Sequence, residues 1–464
     1  MSQPNVLVIV LDTARADALE PYGAVPGTTP AIAELAARGR AFPDVHATAC
    51  WTMPSHVSMF TGLLPRAAGL SRAPDGMPTS VRPVLEAAAD RMLPEVMRRG
   101  GYRTRGVSTN LWVATRSGFA TGFDEYRDVS PNRVGQMAVK GIRPHARWAW
   151  DALRARSDDG AVAAGDVLRG WFRDRGDRPD FWFVNLLECH SPYLPPKPWN
   201  DLGALDRLRA AEEARRHLTL SEIWRVCIDE FDVPDDALAR MQHLYDRSIR
   251  QLDAWITDTM TALDDAGRLD DTVVIVCSDH GENFGEGGLL GHAYSLDERL
   301  LHVPFVVAGP NVPGEIRSLV ELPRYVAEAA GLERHPWPTE PVGVAVGQFD
   351  PPGDDQKRKL QAVEQWGAGP GALEILNTAL DMAVRDGAKL LKRGDDLWLY
   401  DLADDPLEER PRVVTRDEAP VELLAAIEGQ TLGPVVAPSS DAGSDVSAEE
   451  LARIEDQMRT LGYL

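Results

Sequence analysis

No stretch of the 464 residues is long and apolar enough to suggest passage through a bilayer. The first apolar run, Val6 to Leu11, has no basic stretch in front and Asp12 directly behind, so it is too short for a membrane span or a secretory core. Cysteine is scarce too: Cys50, Cys189, Cys227 and Cys277 show no CxxC spacing, so neither a zinc clip nor a disulfide framework is expected, and the cytoplasm is the default compartment. Positive charge is the third deficit. With 49 basic against 71 acidic side chains, the formal net charge of -22 repels nucleic acid and anionic membranes over the Debye length. It also opposes a small anionic substrate unless a cation in the cleft reverses the local field, which points towards a bound metal.

What is present argues for a large core. A hydrophobic content of 44% over this length suits one large domain with a smaller companion. Short apolar runs, Val6 to Leu11, Thr104 to Thr109, Phe181 to Leu187, Thr272 to Ser278 and Val303 to Ala308, alternate with longer amphipathic stretches. That pattern predicts an α/β fold whose central, mostly parallel sheet is flanked by helices, with its ligand site beyond the carboxyl ends of the strands. Asp12, Asn110, Glu188 to His190, and Asp279-His280 follow four of these runs. The catalytic domain is expected over 1–335, with helical insertions around 128–180 and 200–269. A smaller C-terminal α+β layer is expected over 336–464, ending in a linker, Gly433 to Ser447, and a helix, Ala448 to Leu461.

The segment Cys50 to Gly62 reads as a helix start, with Thr52 as its cap and Pro54 in the first turn. A hydroxyl there faces free backbone N–H groups and the positive end of the helix dipole, where a tetrahedral oxyanion is stabilised. Asp279 and His280, adjacent at one strand end, can reach one ion together, and Asp12 can supply a third ligand.

These residues carry a resemblance to the sulfatase family of the alkaline phosphatase superfamily. It runs through Asn5 to Asp12 with Arg15 and Asp17, Pro54-Ser55 with Thr61-Gly62, Gly101-Tyr102, and His190 to Tyr193. It continues through Tyr245 with Asp253, Ser278 to Glu282, Gly291-His292, His302 to Pro304, Leu399 to Leu402 with Asp405-Pro406, and Leu461 to Leu464. The match follows the family's order along nearly the whole chain. The departures are specific. Family members carry a Cys or Ser, matured to formylglycine, where this chain has Thr52, and usually Arg where it has His56. Their paired acids are here Asp12-Thr13, and their Asp-Asn pair is Asp279-His280. Threonine cannot become formylglycine, so none is expected. The resemblance implies Thr52 as nucleophile and one divalent ion held by Asp12, Thr52, Asp279 and His280. An imidazole in that set favours manganese or zinc over calcium.

On this reading Asn110, His56 and the helix N-terminus donate to the equatorial oxygens of a small anionic ester, while His190 or His292 protonates the leaving oxygen. Arg15 is expected to brace Asp12 or Asp17. The segment Arg133 to Trp150, with Arg143, His145, Arg147, Trp148 and Trp150, is a candidate roof over the cleft. Three thiols adjoin proposed site residues, so thiol reagents are expected to inhibit. The leading expectation is hydrolysis of phosphate mono- or diesters, with sulfate or phosphonate esters as related substrates. Phosphoryl transfer to an alcohol, a sulfate-ester hydrolase without formylglycine, and a decayed binding protein are the alternatives.

Overall fold

A computed structural model of the chain describes residues 3–70, 81–131, 142–351, 356–369 and 371–430. The expected linker and last helix, Gly433 to Ser447 and Ala448 to Leu461, lie outside these residues. The five runs, with two short strands that the sequence did not signal, form a seven-stranded sheet: β1 (Asn5–Leu11), the short β2 (Arg40–Ala41), β3 (Arg103–Ser108), the short β4 (Glu125–Asp128), β5 (Asp180–Leu186), β6 (Thr272–Cys277) and, after a small hairpin of β7 (Asn283–Phe284) and β8 (Leu290–Gly291), β9 (Phe305–Ala308). Their spatial order is β2-β9-β6-β1-β5-β3-β4. β1 lies parallel between β5 and β6, with Val8 opposite both Phe183 and Ile275. β9 joins antiparallel to β6 and carries β2 at the edge.

Strand alternation explains why these runs are continuously apolar. Val6, Val8 and Val10 point into one core with Met53, Val57 and Phe60 of the helix Thr52–Thr61. Leu7, Ile9 and Leu11 point into the other, with Trp171 and with Tyr245 and Leu252 of the long helix Asp235–Asp265. A strand covered on both faces has no polar face to show, and each such side chain contributes roughly 1.5–3 kcal/mol relative to exposure.

Helices lie on either side of β5 in the chain. Helices Ile142–Arg154 and Ala161–Arg173 precede β5, and Ala204–His217, Leu220–Cys227 and Asp235–Asp265 come after it. Trp148, a proposed roof residue, is instead buried, with its Nε1 donating to Ala211 O at 3.0 Å, so it packs helix on helix. Trp150 is exposed, with the Arg154 guanidinium over its ring.

Beyond helix Leu322–Ala329 stands a second, wholly antiparallel sheet in chain order: β10 (Ala345–Phe349), β11 (Leu380–Arg385), β12 (Ala388–Arg393), β13 (Asp396–Asp401) and β14 (Arg412–Val413). The β11–β12 turn is Asp386-Gly387, both at positive φ (51° and 81°), as a two-residue hairpin loop requires. Helix Val421–Glu428 covers one face through Leu423 and Ile427, and Leu380, Met382 and Val384 join the first core. Arg66 ties the two sheets. Its Nε meets Asp350 Oδ2 at 2.7 Å, its Nη1 pairs with Asp381, and all three side chains are buried.

Candidate active site

At the carboxyl edge of the large sheet, β1 and β6 release Asp12, Asp279 and His280 side by side. Each is fully buried, and one ligand atom from each lies within 4.8 Å of the others. The helix Thr52–Thr61 closes the group: Ser55 Oγ donates to Asp279 O at 2.7 Å, and Thr52 Oγ1 lies 3.3 Å from His280 Nε2. Thr52 is not the cap that the sequence suggested. Trp51 is extended (φ -152°, ψ 164°) and occupies the cap position with no side-chain capping bond to the helix, which makes Thr52 the first helical residue. Its hydroxyl is therefore not spent on the helix's own N–H groups and turns to the site.

The hydrogen bonds leave a consistent set of atoms over. Asp12 Oδ2 accepts from Asn110 Nδ2 at 2.7 Å and Asn185 Nδ2 at 3.2 Å, while Oδ1 has no hydrogen-bond partner. Asp279 Oδ1 accepts from the backbone N–H groups of Thr13 and His280 at 3.2 and 3.0 Å, while Oδ2 has no such partner. His280 Nδ1 lies 2.9 Å from Gly281 O, which assigns the proton to Nδ1 and leaves the Nε2 lone pair facing Thr52. Burial and the nearby His292 depress this imidazole to about 3, so it is neutral. Burial, and then Asp279, push the Asp12 carboxyl up. Two buried carboxylates with one orphaned oxygen each, converging with an imidazole lone pair, form a donor set that fits a divalent cation.

The two expected substrate donors, Asn110 and His56, both touch the carboxylates of the ligand cluster. The Asn110 amide is committed to Asp12, and its Oδ1 accepts from Trp112 N at 2.8 Å, so it orients a carboxylate. His56, one helical turn after Thr52, has no exposed surface. Its Nδ1 is 3.0 Å from Thr52 O and 3.4 Å from Asp279 Oδ2, and its ring lies among Phe60, Phe119 and Phe183. Burial opposes its protonation, but the Asp279 carboxylate outweighs this and raises its pKa. It packs against the ligand cluster from the helix side.

His190 and His292 do border the site, with ring centroids 4.9 Å apart and His292 4.7 Å from His280. His190 Nδ1 is 2.8 Å from Ser191 O, and His292 Nδ1 is 3.0 and 3.2 Å from the two oxygens of buried Glu282. Burial works against the His292 proton, and Glu282 more than restores it. A proton at Nδ1 of each ring satisfies these acceptors. Arg15 pairs with Asp17 at 2.6 Å and Glu286 at 2.7 Å, bracing Asp17 and not Asp12.

Sequence reasoning missed the roles of Asn185 and Glu282. Asn185 is the one amide inside the apolar β5 run, a position where a polar side chain needs a partner. Glu282 was visible in the Ser278 to Glu282 motif but had no assigned task. The thiol expectation is corrected. Cys50, Cys189 and Cys277 are fully buried, desolvation raises each thiol, and Cys189 Sγ donates to Asp12 O at 3.0 Å. They adjoin the site, but as protonated buried groups they are unreactive.

The chain is similar to several known proteins. The family model described as Sulfatase matches residues 4–330. A protein named Sulfatase from Formosa agariphila is 25% identical over 347 residues, 68% of this chain and 65% of its own length. A choline-sulfatase of Rhizobium meliloti is 27% identical over 206 residues, 39% of this chain and 38% of its own. The chain thus spans less than two thirds of either relative. Among solved structures, the phosphonate monoester hydrolase of Agrobacterium radiobacter superposes with a TM-score of 0.61 at 20% identity, over 99% of this chain and 95% of that one.

Proposed function

Since the chain belongs to the sulfatase family of the alkaline phosphatase superfamily, we propose that it is a metal-dependent hydrolase that cleaves phosphate esters, and related phosphonate esters, through Thr52. The observation that carries this reading is the Thr52 hydroxyl at the first position of a buried helix, 3.3 Å from the imidazole lone pair of His280 and beside two carboxylates with unclaimed oxygens. Asp12, Asp279, His280 and Thr52 would hold one divalent ion, and the nitrogen in that set favours manganese or zinc over calcium. Such an ion, when bound, supplies Lewis acidity and lowers the pKa of a coordinated hydroxyl.

The chain's own groups do the rest. Asn110 and Asn185 aim Asp12, and the first-turn N–H groups face the oxygens on which charge builds. His190 and His292 border the site, and either ring, once doubly protonated, would deliver a proton to the leaving oxygen. Threonine also sets the chemistry class. A formylglycine hydrate can expel sulfate by collapsing to the aldehyde, whereas a sulfate ester on threonine has no such exit. A phosphothreonine ester can be released by a second in-line attack, so phosphoryl substrates are favoured.

The test is turnover of 4-nitrophenyl phosphate, bis(4-nitrophenyl) phosphate, a 4-nitrophenyl phosphonate and 4-nitrophenyl sulfate with manganese, zinc or calcium. Phosphorus esters should turn over with manganese or zinc, intact mass should find Thr52 unmodified, and Thr52→Ala should be inactive yet folded. Calcium-only sulfatase activity, or a fully active Thr52→Ala, would refute the reading.

A further inference from the structure

Lys389 lies on β12, in the second sheet, yet it has no exposed surface. Its Nζ donates to Leu296 O at 2.7 Å and pairs with Glu298 at 2.9 Å and Glu408 at 2.5 Å. Glu298 divides its oxygens: Oε1 takes Lys389, and Oε2 lies 2.9 Å from His46 Nε2. The Glu298 N–H donates to Glu408 Oε2 at 3.0 Å. One buried cluster centred on Lys389 and Glu298 therefore joins four segments of the chain, those of His46, Glu298, Lys389 and Glu408.

Two of those segments lead directly to the reacting groups. His46 opens the loop that enters the helix at Thr52. That loop is held by Ala47 N donating to Leu301 O at 2.7 Å and by Gln348 N of β10 donating to Thr48 O at 2.9 Å. Leu296 and Glu298 end the loop that carries His292. There Asp297 Oδ2 accepts from Asn283 Nδ2 at 3.0 Å and Ser295 Oγ at 2.6 Å, and Tyr294 OH accepts from Trp224 Nε1 at 2.9 Å. A buried ammonium is expensive to hold and is tolerated only with close acceptors. Here the acceptors belong to the segments that deliver Thr52 and His292.

We propose that Lys389 and Glu298 are positioning residues of the catalytic site. Their ion pair fixes the loop delivering Thr52 against the loop delivering His292, which makes the second sheet part of the catalytic machinery. The inference rests on Thr52 and His292 acting as proposed above. A misplacement of about an ångström away from the chemistry costs on the order of 100-fold in rate, so loss of the pair should lower kcat more than it changes KM.

The experiment uses the full chain with manganese and compares bis(4-nitrophenyl) phosphate with phenyl 4-methylphenyl phosphate, a poorer leaving-group ester. Lys389→Met should lower kcat about 10- to 100-fold with KM within about threefold, and more on the poorer ester, which depends on a delivered proton. Lys389→Arg should recover most of the loss. Glu298→Gln keeps the shape while weakening both arms, and it decides the matter if Lys389→Met does not fold. Folded variants with kcat near wild type on both esters would overturn the proposal, as would a loss that only tracks the folded fraction. Thr52→Ala runs alongside. If it is active, the nucleophile reading fails whatever Lys389 does; if it is inactive, the Lys389 and Glu298 variants judge the positioning proposal alone.

Discussion

Replacing Asn110 by Ala separates two tasks for one amide. If it served the ester, its loss would raise KM or lower kcat and leave metal binding alone. The structure instead spends Nδ2 on Asp12 Oδ2 at 2.7 Å, with Asn185 Nδ2 on the same oxygen at 3.2 Å. A hydrogen bond to a charged group is worth about 1.5–3 kcal/mol, and losing such an outer partner of a metal ligand costs roughly 10- to 100-fold in affinity. Because Asn185 remains, Asn110→Ala should fall near the lower end, about 10-fold or 1.4 kcal/mol, and the double change with Asn185→Ala near the upper end. The sign is set by Asp12 itself. Its carboxyl is already pushed up by burial and by Asp279, so losing a donor favours its protonated form, and a cation must then displace a proton. Calorimetric titration of metal-stripped protein with manganese or zinc, checked by chelator competition, reads this without any substrate. Wild-type affinity in Asn110→Ala, accompanied by a changed KM, would refute the assignment and return the amide to the ester.

Arg66→Met should lower unfolding free energy by about 3–5 kcal/mol in urea titrations, because it removes the buried guanidinium that faces Asp350 and Asp381; a change below about 1 kcal/mol would mean that other groups or water take up the two carboxylates. Glu188 is buried with Oε1 accepting from Ala161 N at 2.5 Å, and burial, then Asp159 and Asp158, raise its pKa well above 4.5. Its stabilising contribution is therefore full below about pH 4.5 and lost as pH rises through the raised value. Glu188→Gln should accordingly gain stability relative to wild type between about pH 5 and pH 8; a pH-independent difference would contradict this. A colourless-to-yellow thiol assay should leave Cys50, Cys189 and Cys277 unlabelled in the folded protein and titrate them after denaturation; prompt native labelling of any of the three would show that the site opens.

The parts of the fold that were legible in the sequence are those with one dominant force. β1, β5 and β6 stand out as apolar runs because both faces are buried, whereas β3, Arg103 to Ser108, has Val107 as its one aliphatic side chain. β4, Glu125 to Asp128, is partly exposed and reads as polar chain, and β2 has two residues, so neither carries a periodic signal. Asp12, Asp279 and His280 were readable because the end of a buried parallel strand delivers the next residues to the ligand edge of the sheet. For His56 and Asn110 no sequence signal marks their contacts with Asp279 and Asp12, since a residue's place in the chain does not fix which neighbours its side chain meets. Lys389 was invisible for a different reason. A lysine in a short strand normally points to water, and only the loops arriving from Glu298 and Glu408 bury it.

The central position of β1 has a consequence for how the protein comes into being. Thr13 and Asp279 touch across 266 positions of chain, and Cys189 reaches Asp12 across 177. The ligand cluster is thus a long-range contact that closes only after β5 and β6 have docked on either side of β1, late in any folding route in which local helices form first. An ion cannot template such a chain, because until β6 is in place it meets one carboxylate at a time. Metal uptake should therefore report completed folding and not drive it, and refolding without metal should restore a competent apo protein at the same rate as refolding with it.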